Sequence, residues 1–181
     1  MEKGLMAKLI VMAVGVLLVF GMALSTSAAE KALPDQAVFD EFKALIPKDR
    51  IVKADKVYKV WQDIMAGKSK AVILDIRSHP EFKTGHIEGA SHISGAHVYQ
   101  VFNKFPDKNT EIYVHCRTKH RSTYFVGTLY KYGYKNAYLV EHGIVGWIKA
   151  GYPLVNEFMG EFKVTRYEKQ LKEKYIYREF R

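Results

Sequence analysis

Glu111-Ile112-Tyr113-Val114-His115-Cys116-Arg117-Thr118-Lys119-His120-Arg121-Ser122 is the stretch on which the reading of this chain turns. Glu111 to His115 has the apolar run of a buried strand, and helical periodicity sets in from Arg121 to Tyr132, closed by Gly133. Cys116 therefore sits at a strand end, in the loop before a helix N-terminus. In open α/β sheets ligands bind beyond the carboxyl ends of the strands. The first amides of a helix lack intrahelical partners and favour an anion. Arg117, Lys119 and Arg121 add three positive charges close to the sulfur. Both influences favour the thiolate, which is the nucleophilic form of cysteine. The plainer alternative is a core thiol beneath a solvated basic turn, but core cysteines are seldom set among several cations.

Outward from this stretch, short apolar runs alternate with amphipathic ones. Expected strands are Ile51-Val52, Ala71 to Asp75, Ala90 to Ile93, Glu111 to His115 and Ala137 to Val140. Expected helices are Asp55 to Ala66, with Val57, Val60, Trp61 and Ile64 on one face, Ala96 to Phe105, and Arg121 to Tyr132. Strands alternating with helices predict an α/β domain, a mostly parallel sheet covered on both faces, over residues 50 to 155. Residues 30 to 49 read as a helical lead-in ended by Pro47. Residues 156 to 181, charged and aromatic, read as a C-terminal helical extension packed on the surface, with membrane or partner docking as the lesser alternative.

Leu9 to Leu24 is uncharged and apolar, preceded by Lys3 and Lys8 and followed by Ser25-Thr26-Ser27-Ala28-Ala29. Residues 1 to 29 thus read as an export signal with cleavage after Ala29, which places the chain in the periplasm or cell envelope. The competing reading is an uncleaved anchor in the inner membrane through residues 9–24, although that run is shorter than the roughly 20 residues a spanning helix needs. Composition narrows the rest. The chain has 181 residues, 28 Lys+Arg against 19 Asp+Glu for a net +9, 48% hydrophobic residues and one cysteine. A disordered or collagen-like chain is excluded, as are an internal disulfide framework and a zinc site built from several cysteines. The basic charge alone would fit nucleic acid, but no such motif is present and export argues against it. His86, His92 and His97, with His115 and His120 beside the thiol, do not make the converging set a metal needs, so neither metal nor cofactor is expected.

At Cys116-x-x-x-x-Arg121-Ser122 the chain resembles the active-site loop of rhodanese-like sulfurtransferases. Upstream, Leu74-Asp75-Ile76-Arg77 through Gly85-His86-Ile87-Glu88-Gly89-Ala90 is similar to the first family signature, and Glu141-His142-Gly143 with Gly146-Trp147 through Tyr152-Pro153 is similar to the second. The resemblance implies an open parallel five-stranded sheet with helices on both faces. It also implies that Cys116 takes a sulfane sulfur from a small sulfur-containing anion such as thiosulfate or polysulfide and carries it as a persulfide to cyanide or a thiol, including the thiol of a thioredoxin-like acceptor protein. Arg117, Thr118, Lys119, His120, Arg121 and Ser122 would bind the anion, with Asp75 and Arg77 bracing the loop. Four residues between cysteine and arginine match the sulfur-transferring members; the related phosphatases have five, so a phosphate- or arsenate-directed enzyme is the outside reading. Family modules that only bind or dock often lack the cysteine. Two departures stand out. Lys119 replaces a frequent glycine at a place where a positive φ would cost about 1–2 kcal/mol, and His142-Gly143 replaces paired glycines.

Overall fold

The computed structural model describes residues 34 to 167. One sheet is built from β1 (Ile51–Val52), β2 (Val72–Asp75), β3 (Ser91–His92), β4 (Ile112–His115) and β5 (Ala137–Val140), all parallel, in the order β1-β5-β4-β2-β3. Parallel neighbours cannot be joined by a tight turn, so helices make the crossings. They are α1 (Pro34–Ala44), which leads into β1, then α2 (Ala54–Met65), α3 (His79–Thr84), α4 (Val101–Lys104), α5 (His120–Lys131) and α6 (Gly143–Lys149). The expected sheet is present, with each of its five strands where the sequence placed it.

The alternation of side chains along each strand assigns the two faces. Leu74, Ile112, Val114, Ala137 and Leu139 point into one core with Val101 of α4 and Phe125, Val126 and Leu129 of α5. Ile73, Tyr113 and Val140 point into the other with Val57 and Val60 of α2 and Ile144 and Trp147 of α6. Complete burial of residues such as Leu74, Val57 and Leu129 stabilises by about 1.5–3 kcal/mol each relative to exposure. All four residues of β4 are buried. It is the middle strand, and Cys116 follows it directly.

Two expectations are corrected here. The helix expected over Ala96 to Phe105 is a 3-10 stretch, Gly95–Gln100, followed by the four residues of α4. His97, at φ −114° and ψ 36°, breaks α-helical geometry inside it. The extension expected to be helical from residue 156 instead continues an antiparallel hairpin, β6 (Leu154–Asn156) with β7 (Gly160–Phe162). Asn156 closes the turn between them, its side-chain oxygen accepting from the amides of Phe158 and Met159. The hairpin is tied to the domain by an isolated bridge between His86 and Val155, so the sheet domain and its extension share an element. Residues 168–181 lie outside the described residues, as do residues 1–29 and the start of the lead-in. No helix among the described residues is long and apolar enough to cross a membrane.

The lead-in packs on the domain through its aromatic residues. A Cβ on Gly127 of α5 would stand 2.8 Å from Phe42, so only glycine lets α1 approach that closely. Lys131 and Glu41 close the same contact with an ion pair at 2.9 Å.

Candidate active site

The cysteine loop is held in shape by backbone from another element. The amide of Ile144 donates to the Cys116 carbonyl at 3.0 Å and that of Val145 to the Arg117 carbonyl at 3.2 Å. Gly143 makes this approach feasible: a Cβ there would lie 2.4 Å from the Cys116 oxygen and 2.7 Å from the Thr118 oxygen, and its φ is +51°. A larger residue would collide with backbone on that side. The first turn of α6 is therefore the template against which the loop is folded.

Cys116 is buried, and its sulfur lies 3.5 Å from the Ser122 hydroxyl. That hydroxyl also sits 3.0 Å from the Lys119 carbonyl, and its one hydrogen serves either the carbonyl or a thiolate. Cys116 lines a cleft of about 480 Å³ together with Arg117, Thr118, His120, Arg121, Val145, Lys149 and Tyr167. The helix α5 starts at His120, at the edge of this cleft.

The expected loop residues are not equivalent. Arg117, Thr118, His120 and Arg121 border the cleft. Lys119 does not; it stands at the N-cap of α5, where its carbonyl accepts from the Thr123 amide at 2.9 Å and from the Thr123 hydroxyl at 3.0 Å. Its φ of −161° is extended backbone open to any residue, so the loop position that is often glycine is not strained here. Among the described residues, the left-handed non-glycine one is His142, at φ 63°, one of the two positions where the second signature departs. Ser122 is within the helix and folds back on Lys119; the N-cap itself has no side-chain hydrogen bond. The His120 ring meets Phe39 edge to face at 4.9 Å.

Arg121 is bound to Glu81, each terminal nitrogen 2.8 Å from one carboxylate oxygen. The same carboxylate accepts from the Ser78 amide at 2.9 Å and closes the capping box of α3. Hydrogen bonding to Arg121 is the chief cause that drives the Glu81 carboxyl down to about 2, against the opposing effect of partial burial.

Beneath the loop lies a buried network. β2 and β4 are in register so that Asp75 faces His115. Arg77 grips the Asp75 carboxylate through Nε and Nη2 at 2.6–3.0 Å and also donates to the Gly85 carbonyl at 2.7 Å. Both residues were expected to brace the cysteine loop; the bonds seen tie Arg77 to Asp75 and to Gly85. Burial opposes the Asp75 charge, but the neighbouring His115 and the Arg77 hydrogen bonds together hold its carboxyl below the usual range. His115 immediately precedes the cysteine and is buried. Burial pushes its imidazole down, and its Nδ1 is 3.3 Å from the Cys116 carbonyl. A carbonyl can only accept, so Nδ1 holds the proton of the neutral ring. Nε2 stands 3.8 Å from Asp75 and is buried without a hydrogen-bond partner among the described residues.

Sequence reasoning missed several of these groups. Glu81 and Gly143 lie inside the quoted signatures, and the Ser78 to Glu81 spacing of a capping box was a readable signal for the former. Lys149, which brings a second element's cation to the cleft, has only its place two residues after Trp147 to mark it. Nothing in the sequence marks Tyr167. No three His, Cys, Asp or Glu residues converge as metal ligands among the described residues.

A single cysteine at the end of the central strand of a five-stranded parallel sheet, in the loop before a helix and in one cleft with Arg117, Arg121 and Lys149, defines a class of α/β domain. The chain belongs to the rhodanese-like domain family, whose model matches residues 57–150, a little over half of it. It is similar to the thiosulfate sulfurtransferase GlpE of Haemophilus influenzae, 29% identical over 96 residues that cover 53% of this chain and 88% of that one. A thiosulfate sulfurtransferase from Pseudomonas aeruginosa matches with 30% identity and a TM-score of 0.50, over 65% of this chain and 23% of that chain. The rhodanese-like domain of an Anabaena protein shares the fold, with a TM-score of 0.51 at 18% identity over 67% of this chain and 92% of that one.

Proposed function

We propose that the protein is a sulfurtransferase in which Cys116 is the nucleophile and sulfur carrier. The observation that supports this best is that Cys116 lines one cleft with Arg117, Arg121 and Lys149, which suits attack on an anion. The Cys116 thiolate attacks the outer sulfur of thiosulfate; a new S–S bond forms, the bond to the sulfonate sulfur breaks, and sulfite leaves with its electron pair. The persulfide is itself an anion, stabilised by the surrounding donors and charges. Cyanide carbon or a thiolate then attacks the outer sulfur, forming thiocyanate or a persulfide on the acceptor and returning Cys116 as thiolate. Because the chain has a single cysteine, any resolving thiol must come from a second molecule, and a thioredoxin-like protein fits that need. Export to the cell envelope, expected from residues 1–29, belongs to the same proposal.

The test is the intact mass of the protein after incubation with thiosulfate. Wild type gains one sulfur and Cys116→Ser gains none. No gain on wild type, or an equal gain on the variant, overturns the reading and leaves a binding module. N-terminal sequencing of the cell-envelope fraction checks export: a chain starting at Glu30 supports cleavage, and one starting at Met1 supports the anchor.

A further inference from the structure

Arg117 and Arg121 both border the cleft, but their guanidinium groups are held by chemically different partners. That of Arg121 faces a carboxylate, which cancels its charge. That of Arg117 faces a phenol: both Nε and Nη2 lie 3.3 Å from the Tyr167 oxygen. A neutral acceptor orients a guanidinium without neutralising it. The main chain of Arg117 is already fixed by its bond from Val145, so the long side chain is the part left to be positioned, and Tyr167 supplies the means.

Tyr167 reaches this place on a strap, residues 163–167, that leaves β7 and crosses to the cleft. Its root is firm. Phe162 and Val164 pack on the core that contains Trp147 and Leu154, and a Cβ on Gly85 would stand 2.7 Å from the Phe162 ring, so that ring is held in close contact. Lys163, Thr165 and Arg166 are exposed, whereas Tyr167 is half-buried against the cleft it lines. The strap is thus anchored at one end by apolar packing and at the other by the Arg117 side chain.

We propose that Tyr167 is a positioning residue that fixes the uncancelled charge of Arg117 at the mouth of the Cys116 cleft and thereby sets how strongly anions reach the thiol. Holding the fork in advance removes rotamer freedom that an anion would otherwise have to freeze on binding. The assignment rests on the reading that the cleft receives an anion at Cys116, but it can be measured without sulfur transfer.

The experiment compares alkylation of Cys116 by iodoacetate, an anion, with alkylation by neutral iodoacetamide, in wild type, Tyr167→Phe, Arg117→Gln and the double variant. Tyr167→Phe keeps the ring and removes the oxygen. It lowers the iodoacetate-to-iodoacetamide rate ratio by about three- to tenfold, the net scale of one ordinary hydrogen bond. In the double variant the ratio equals that of Arg117→Gln alone, because Tyr167 acts only through Arg117. The KM for thiosulfate rises more than kcat falls. An unchanged ratio in Tyr167→Phe, or a loss that adds to that of Arg117→Gln, overturns the assignment. If the ratio behaves as stated while wild type gains no sulfur from thiosulfate, the sulfur-transfer reading fails and the role of Tyr167 stands.

Discussion

Glu81 takes both terminal nitrogens of Arg121, one carboxylate oxygen to each at 2.8 Å, and so links helix α3 to the first turn of α5, the helix that follows the cysteine loop. The pair is partly exposed, and removing it by Glu81→Gln costs about 1 kcal/mol at neutral pH, the upper part of the range for such pairs. The Glu81 carboxyl lies below its ordinary 4.5, at about 2, so the folded chain binds the proton less readily than the unfolded chain. Its contribution is complete above about pH 4.5 and fades as pH falls through about 2. Urea unfolding of wild type and variant should show a gap that closes across that interval. A gap of constant size would assign the effect to the capping box instead.

The same substitution frees the charge of Arg121 beside the thiol. Glu81→Gln should therefore lower the thiosulfate KM by roughly two- to fivefold at low ionic strength, and the gain should shrink at high salt, where exposed charges are screened. A KM that rises would mean that Glu81 orients Arg121 for the anion.

Gly143→Ala places a methyl group 2.4 Å from the Cys116 carbonyl oxygen on a residue with φ +51°. Either the loop or α6 must shift. Unfolding should become easier by about 2 kcal/mol, and transfer activity should fall on the order of a hundredfold, since misplacement of about 1 Å has that effect on a positioned group. Activity retained at lowered stability would show that the loop keeps its shape without this template.

His142 holds φ 63° with an exposed side chain. Histidine tolerates this region better than most residues, whereas a β-branched residue does not. His142→Val should destabilise by about 1–2 kcal/mol, and His142→Gly should be neutral or stabilising by up to about 1 kcal/mol. Thermal midpoints of the two variants provide the check, and equal midpoints would place the strain elsewhere.

Arg77→Leu leaves the Asp75 carboxylate buried and without its principal partner, a change that costs about 3–5 kcal/mol in comparable sites. His115 titrates in the same network. Burial lowers it from its ordinary 6.5, so below that pH the unfolded chain takes up a proton that the folded chain refuses. Stability contributed by the neutral ring is full above pH 6.5 and is lost on acidification. His115→Gln should flatten this acid limb in pH-dependent unfolding, and an unaltered limb would count against a neutral His115.

Legibility in the sequence followed the distance between cooperating residues. β5 is predicted residue for residue because Ala137 to Val140 alternates cleanly between two cores, and α5 because its apolar period is long. The short helix α3 has six residues and α6 starts on a glycine; neither is long enough to show a period. The hairpin from Leu154 to Phe162 was hidden by charged residues that happen to suit an exposed helix equally well. At the site, the contiguous Cys116 loop could be read, because its strand, cations and helix are adjacent in sequence. Glu81, Lys149 and Tyr167 reach it from α3, α6 and the strap. Their relation to Cys116 exists only after the sheet has set its strand order. Lys119 shows the opposite case, since its place in the loop suggested a strained backbone, and its φ of −161° at the helix start carries none.

The two backbone bonds from Ile144 and Val145 to the cysteine loop have a consequence for how this protein can diverge. A loop shaped by its own side chains must conserve them; a loop shaped by amides from another helix need not. Thr118, Lys119, His120 and Arg121 are exposed, and they can be exchanged while Gly143 keeps the main chain in place. The scaffold thus separates the part of the molecule that fixes the position of the sulfur from the part that selects what meets it, and new donors or acceptors can be acquired by surface substitution without reopening the fold.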